Sequence, residues 1–139
     1  MKTTGELMNE IKKSPYINQF LTENENELYN PQLKEHLAAL LKEKRMNKTQ
    51  VIRGGALNEN YAYQIFSGLR YPSRDKLIQL AVGFGLDIEE TARLLKIADV
   101  GALYPRNRRD AIIIYCIEHR MTIMQINDLL YELKEYVFQ

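Results

Sequence analysis

The chain has 139 residues, of which 45% are hydrophobic and 27% charged, with a net charge of +1 at neutral pH. That length fits one domain, or one small domain with appended helices. The balance supplies enough apolar side chains for a core and too many charges for a membrane protein. The longest apolar stretch, Ala111 to Ile117, is far too short to span a bilayer, and Met1 to Lys13 lacks the apolar run of a signal peptide. The single cysteine, Cys116, lies inside that stretch and reads as a buried thiol in a reducing compartment, so a cytoplasmic location is expected.

The small total charge hides a division along the chain. Residues 31–74 carry eight basic against three acidic side chains, a local +5, while residues 1–30 and 75–139 each carry −2. A positive middle between acidic flanks suits a local polyanion-binding face, the alternative being chance clustering on a solvated surface.

Taken in chain order, helix starts recur at short intervals. Thr3 to Glu6 has the form of a capping box, and Ser14-Pro15 and Asn30-Pro31 each place a capping residue before proline. Asn47 to Gln50, Asp87 to Glu90 and Thr122 to Gln125 are further box-like starts, and Ser73 after Pro72 caps another helix. Apolar residues recur at three and four between them, as in Leu33, Leu37, Leu40 and Leu41, with no strand-like alternation. The expected fold class is all-α, with about eight short helices. The expected division is an N-terminal helical segment (1–30), a central domain (31–98) and a C-terminal helical hairpin (99–139).

An internal repeat runs at an offset of 35 residues, with Arg74 to Ile97 aligning without gaps on Arg109 to Glu132 and six of 24 pairs identical. Its physical content is a helix, a capped turn at Asp87 or Thr122, and a second helix ending in Leu-Leu. Convergence of two amphipathic hairpins is the alternative.

The informative stretch is Met46 to Gly68. Asn47 caps a short helix through about Arg53, and Gly54-Gly55 are expected to break it, glycine being free to take left-handed angles. Asn58 caps a second short helix that closes at Ser67-Gly68. Two short helices joined by a glycine-containing turn, behind a longer amphipathic helix, form a tri-helical scaffold able to place one helix in a major groove.

Over about Leu33 to Ile97 the sequence resembles the XRE-type helix-turn-helix family of phage repressors and Cro. Asn47-Lys48 stand at the family's Thr-Gln, Val51 at its helix-2 leucine, Leu57 at its valine and Asn58 at its capping serine. Ala62 and Ile65 fall on its two core positions and Gly68 on its closing glycine, and a proline-serine tail follows at Pro72-Ser73. Three positions depart: Ile52 replaces a small alanine, Ala56 falls on the turn glycine with Gly55 one place earlier, and Phe66 replaces a glutamate. The resemblance implies a Cro/repressor-like helix-turn-helix core and sequence-specific binding of double-stranded DNA, as in a bacterial or phage-type transcriptional regulator. The competing class is a helix-turn-helix-derived protein–protein interaction module without DNA binding.

Helical geometry then assigns roles. Ala62, Ile65 and Phe66 share one side of the second helix, Asn60 and Gln64 the other, with Tyr61 and Tyr63 flanking them. Asparagine and glutamine amides pair with adenine N7 and N6, and Glu59 either repels phosphates or accepts from cytosine N4. Asn58, Tyr61 and Tyr63 are expected at phosphates, as are Lys48, Arg70 and Arg74. A solvated face is the plainer reading of Asn60 and Gln64. No Arg or Lys lies between Glu59 and Ser67, so affinity per protomer is expected to be modest and a homodimer is expected. Its interface is placed on the C-terminal hairpin at Ile114 and Ile117, because Ala111 to Ile117 is apolar on every side, the alternative cover being the N-terminal helices of the same chain. In the aligned helix, Lys76 and Gln79 are expected to form a polar face. His36 and His119 lack ligand spacing, Glu23, Glu25 and Glu27 lack that of a calcium loop, and no nucleophile–base pair is legible. The expectation is a non-enzyme with no metal and no cofactor.

Overall fold

Most of the helices start where a side chain accepts from a free N–H group of the first turn, and these caps set the chain's segmentation. The computed structural model describes residues 1–27 and 30–139, with nine α-helices, one 3-10 turn at Glu25–Glu27 and no strand among the described residues. The helices are α1 (Thr4–Lys13), α2 (Ile17–Glu23), α3 (Asn30–Lys44), α4 (Lys48–Gly54), α5 (Glu59–Ser67), α6 (Arg74–Phe84), α7 (Ile88–Ile97), α8 (Arg108–Glu118) and α9 (Ile123–Glu132). Asn47 with Gln50, Asp87 with Glu90 and Thr122 with Gln125 form complete capping boxes. Ser14 instead terminates α1, and its hydroxyl donates to the Tyr16 carbonyl, so α2 begins two residues after Pro15 without a side-chain cap. The side chains of Asn30 and Pro31 lie outside the described residues. No helix is long and apolar enough to cross a membrane among the described residues.

The centre of the fold is α6, whose Leu77, Ile78, Leu80 and Ala81 are fully buried. Its closest neighbour is α4, and their backbones touch: a Cβ on Gly83 would lie 2.2 Å from the Val51 oxygen, and one on Gly55 would lie 2.6 Å from the Gln79 oxygen. Gly54, which ends α4, and Gly55, which follows it, therefore serve close approach. Gly55 has ordinary right-handed angles (φ −86°), and the left-handed residue of this turn is Ala56 (φ 52°).

Gln79 corrects the expected polar face of α6. It is 1% exposed, and its Nε2 donates to the Gly55 carbonyl at 3.0 Å, tying the α4–α5 turn to the central helix. Lys76 is half-buried and donates to the Gln139 carbonyl at 2.7 Å.

The 35-residue repeat is also a repeat in space. Gly85 and Arg120, equivalent positions, both take left-handed angles (φ 71° and 56°), as do Asp99 and Lys134 (57° and 62°) after the second helix of each unit. Ile78 and Ile113 are both fully buried, as are Leu95 and Leu130. The two units exchange ion pairs between equivalent dipeptides, Arg74 with Asp110 at 2.7 Å and Arg109 with Asp75 at 2.9 Å. At the other end, Arg120 donates to the carbonyl of Gly85 at 2.7 Å. With both pairs of ends bridged, α6 and α8 run side by side in the same direction, as in stacked helical hairpins.

The helices α1 and α2 stand apart from this core, which begins at Leu33. They pack on each other, with Phe20 buried and Asn24 donating to Glu10 at 2.9 Å, while Lys2 pairs with Glu10 at 2.6 Å.

Candidate nucleic-acid interface

The α5 helix is held by one face. Ala62, Ile65 and Phe66 are buried, and Phe66 meets Phe84 of α6 edge-on with ring centroids 6.2 Å apart. Asn58 starts the helix by accepting from the Tyr61 N–H at 3.0 Å, and Gly68 ends it in the left-handed conformation (φ 82°) that lets the chain turn back. The opposite side presents Glu59, Asn60 and Tyr63 to solvent. Their exposure follows from the helical repeat, because the buried triplet leaves these positions no neighbour.

Several expected contacts gather around this strip. Tyr63 reaches Thr49 at the start of α4, with the two hydroxyls 3.4 Å apart. Lys48 is exposed and holds its ammonium over the Phe66 ring, 5.8 Å from its centre. Gln64 is half-buried and accepts from Arg70 Nε at 2.7 Å, and the Arg70 guanidinium lies 5.0 Å above the half-buried Tyr61 ring. Lys48, Arg53 and Arg70 form no ion pair among the described residues.

Arg74 does not join them. Its guanidinium donates to both Asp110 oxygens (3.0 and 2.7 Å) and to the Gly101 and Ala102 carbonyls (2.7 and 2.9 Å). It is a bracket between the two hairpins, and the partner that claims it lies 36 residues away in sequence. Asp110 is 6% exposed, and although burial works to raise its pKa, the Arg74 hydrogen bonds and the Tyr104 N–H hold it below the ordinary carboxylate value.

Ile117 is also corrected. It is 5% exposed within its own chain, packed in the shared core with Ile113 and Cys116, and is not available to a second protomer. Ile114 is half-buried, and Tyr115 on the same helix is 50% exposed.

Two residues missed in the sequence belong to this surface. Thr49 and Arg53, four apart on α4 and hence on one face, line a groove of about 220 Å³ with Ala56 and Glu59. The helical spacing was a usable signal for both. Elsewhere, burial pulls the His36 pKa down, reinforced by Arg93, while His119 stacks on Tyr115 at 4.0 Å. Among the described residues no three His, Cys, Asp or Glu side chains converge as a metal site. Burial raises the Cys116 thiol above its ordinary pKa, which disfavours the thiolate.

Comparison with protein-family models, curated proteins and solved structures gives no match to this chain.

Proposed function

We propose that this protein binds double-stranded DNA in a sequence-dependent manner through α5, as a transcriptional regulator built on a helix-turn-helix. The observation that carries the reading is the two-sidedness of α5: Ala62, Ile65 and Phe66 anchor it, while Asn60 and Tyr63 face solvent beside Lys48 and Arg53, which form no ion pair among the described residues. Amides able to address base edges on a rigid helix, flanked by cations for phosphates, are the two kinds of contact that duplex recognition needs. The small number of cations favours a homodimer on two half-sites about 34–36 Å apart. Sedimentation at micromolar concentration tests that, and a purely monomeric chain with full affinity overturns it.

A second reading, a protein-interaction module, is favoured by Leu69, which is 83% exposed directly after α5, with Tyr71 exposed beside it. Salt-titrated binding to random and genomic duplexes separates the two. Phosphate contacts by Lys48, Arg53 and Arg70 give a fall in log K against log salt of about 0.9 per contact. Absence of duplex binding at low salt sinks the DNA reading.

A further inference from the structure

The Gly68 turn brings Arg70 back alongside the helix it has just left. Its backbone N–H donates to the Gln64 carbonyl at 3.2 Å, its Nε donates to Gln64 Oε1 at 2.7 Å, and its guanidinium rests over the Tyr61 ring. The residue is thus held at three points on one turn of α5, one through its backbone and two through its side chain. A guanidinium carries donors only, so the Gln64 atom facing it must be the oxygen, and the amide orientation follows from chemistry alone.

We infer that Arg70 is a positioning residue that fixes the Gln64 amide as a hydrogen-bond donor, so that Gln64 selects guanine over adenine. The inference rests on the reading of α5 as the DNA-reading helix. A free glutamine pairs with adenine by accepting from N6 and donating to N7. Here one of the oxygen's two lone pairs accepts from Arg70, which pins that oxygen beside the guanidinium and leaves the NH₂ group as the free end of the amide. The major-groove edge with two acceptors, N7 and O6, is that of guanine, whereas adenine offers one acceptor and an amine that must share the Gln64 oxygen with Arg70. The aromatic platform of Tyr61 and the backbone bond at Arg70 keep the lock planar and rigid.

The test is selection from a randomised duplex pool by the full chain, the Arg70→Ala variant and the Gln64→Glu variant. The native chain should show one position at which guanine dominates. Arg70→Ala should shift that position toward adenine, with the guanine-to-adenine ratio falling about tenfold or more. Gln64→Glu keeps an acceptor for Arg70 but has no amide donor, so it should lose the guanine preference there. If Arg70→Ala weakens all duplexes alike and leaves base preference unchanged, Arg70 only neutralises phosphate and the inference is overturned. A second measurement needs no DNA: the Arg70 Nε–H should exchange slowly with solvent in the free protein and quickly in Gln64→Ala. Fast exchange in the native chain overturns the lock even where DNA binds. Slow exchange with no sequence enriched from the pool overturns the DNA reading and the guanine selection with it.

Discussion

Gly83 lies so close to Val51 that a methyl group on its Cα would sit 2.2 Å from the Val51 carbonyl oxygen. This contact lets α4 and α6 cross at backbone distance. A Cβ there meets the α4 backbone at two points, since the Gly55 nitrogen is 2.9 Å from the same point. Gly83→Ala should therefore destabilise the fold by about 3 kcal/mol, despite alanine's better helix propensity. Gly85→Ala provides the contrast, because its Cβ would meet nothing within 4 Å and only the left-handed φ of 71° opposes it. That change should cost about 1 kcal/mol. Denaturant melts of the two variants check the order, and equal losses would refute the backbone-contact account.

Ala56 holds a left-handed conformation (φ 52°) in the turn between α4 and α5. An L-residue with a Cβ resists these angles, and Ala56 is exposed, so glycine loses no packing there. Ala56→Gly should stabilise the protein by about 0.5–1 kcal/mol after the entropy of the unfolded glycine is counted, raising Tm by about 2–4 °C. A lower Tm would mean that the Ala56 methyl makes contacts worth more than the strain.

How far the sequence could be read differs between local and distant interactions. The boxes at Asn47, Asp87 and Thr122 are legible because both partners lie within one turn, three residues apart. The repeat was legible because its turns and buried positions recur at a fixed offset. Gln79 and Arg74 were misplaced because their partners, Gly55 and Asp110, lie 24 and 36 residues away, and nothing local distinguishes a solvated polar side chain from a buried one. The placement of Ile117 at a subunit interface failed for the same reason: it is 5% exposed within one chain, part of the core that gathers residues distant in sequence. On α5 the buried triplet Ala62, Ile65 and Phe66 was legible, because it depends only on which of the helix's own residues are apolar, whereas Gln64, expected on the solvent side with Asn60, is half-buried. Its interplay with Arg70 depends on the Gly68 turn and was out of reach.

The bracket between hairpins carries a pH dependence. Asp110 has a folded-state pKa below its ordinary value, burial opposing the shift and Arg74 outweighing it. A depressed carboxylate contributes stability above its unfolded pKa of about 3.9 and loses it as pH falls through the folded value. Stability should therefore drop in acid below about pH 4, and Asp110→Asn should be less stable at neutral pH with a flatter acid limb. Chemical denaturation at a series of pH values measures this. An acid limb unchanged by the substitution would assign the loss to other groups, such as Glu90, whose pKa is lowered by its hydrogen bond to Lys44.

On the DNA reading, Asn60 and Lys48 should behave differently. Asn60 is exposed on α5 with no protein partner among the described hydrogen bonds, so Asn60→Ala should cost about 1–3 kcal/mol on the preferred sequence and little on random duplex. Lys48→Ala should weaken every duplex alike and lower the salt slope by about one unit. Parallel titrations on both substrates decide, and identical behaviour of the two variants would remove the distinction between base reader and phosphate anchor.

Glu59 gives the sharpest sign test. It is the first residue of α5, exposed, and it shares the groove with Thr49 and Arg53, close to where phosphates or base edges would approach. A carboxylate that only faces the DNA backbone repels it, so Glu59→Gln should then tighten binding to all sequences, most at low salt. A carboxylate that accepts from cytosine N4 discriminates among bases, and the same change should then loosen binding at one position and shift the preference there. The groove favours the first outcome. Arg53 lines the same cleft without an ion pair among the described residues, and removing the Glu59 charge frees its full positive potential for phosphate. The expected result is tighter binding of Glu59→Gln to every duplex, with an unchanged order of preference and a gain that shrinks as salt rises. A gain that persists at high salt would contradict an electrostatic origin. No change on any duplex would move the surface of α5 toward recognition of another protein.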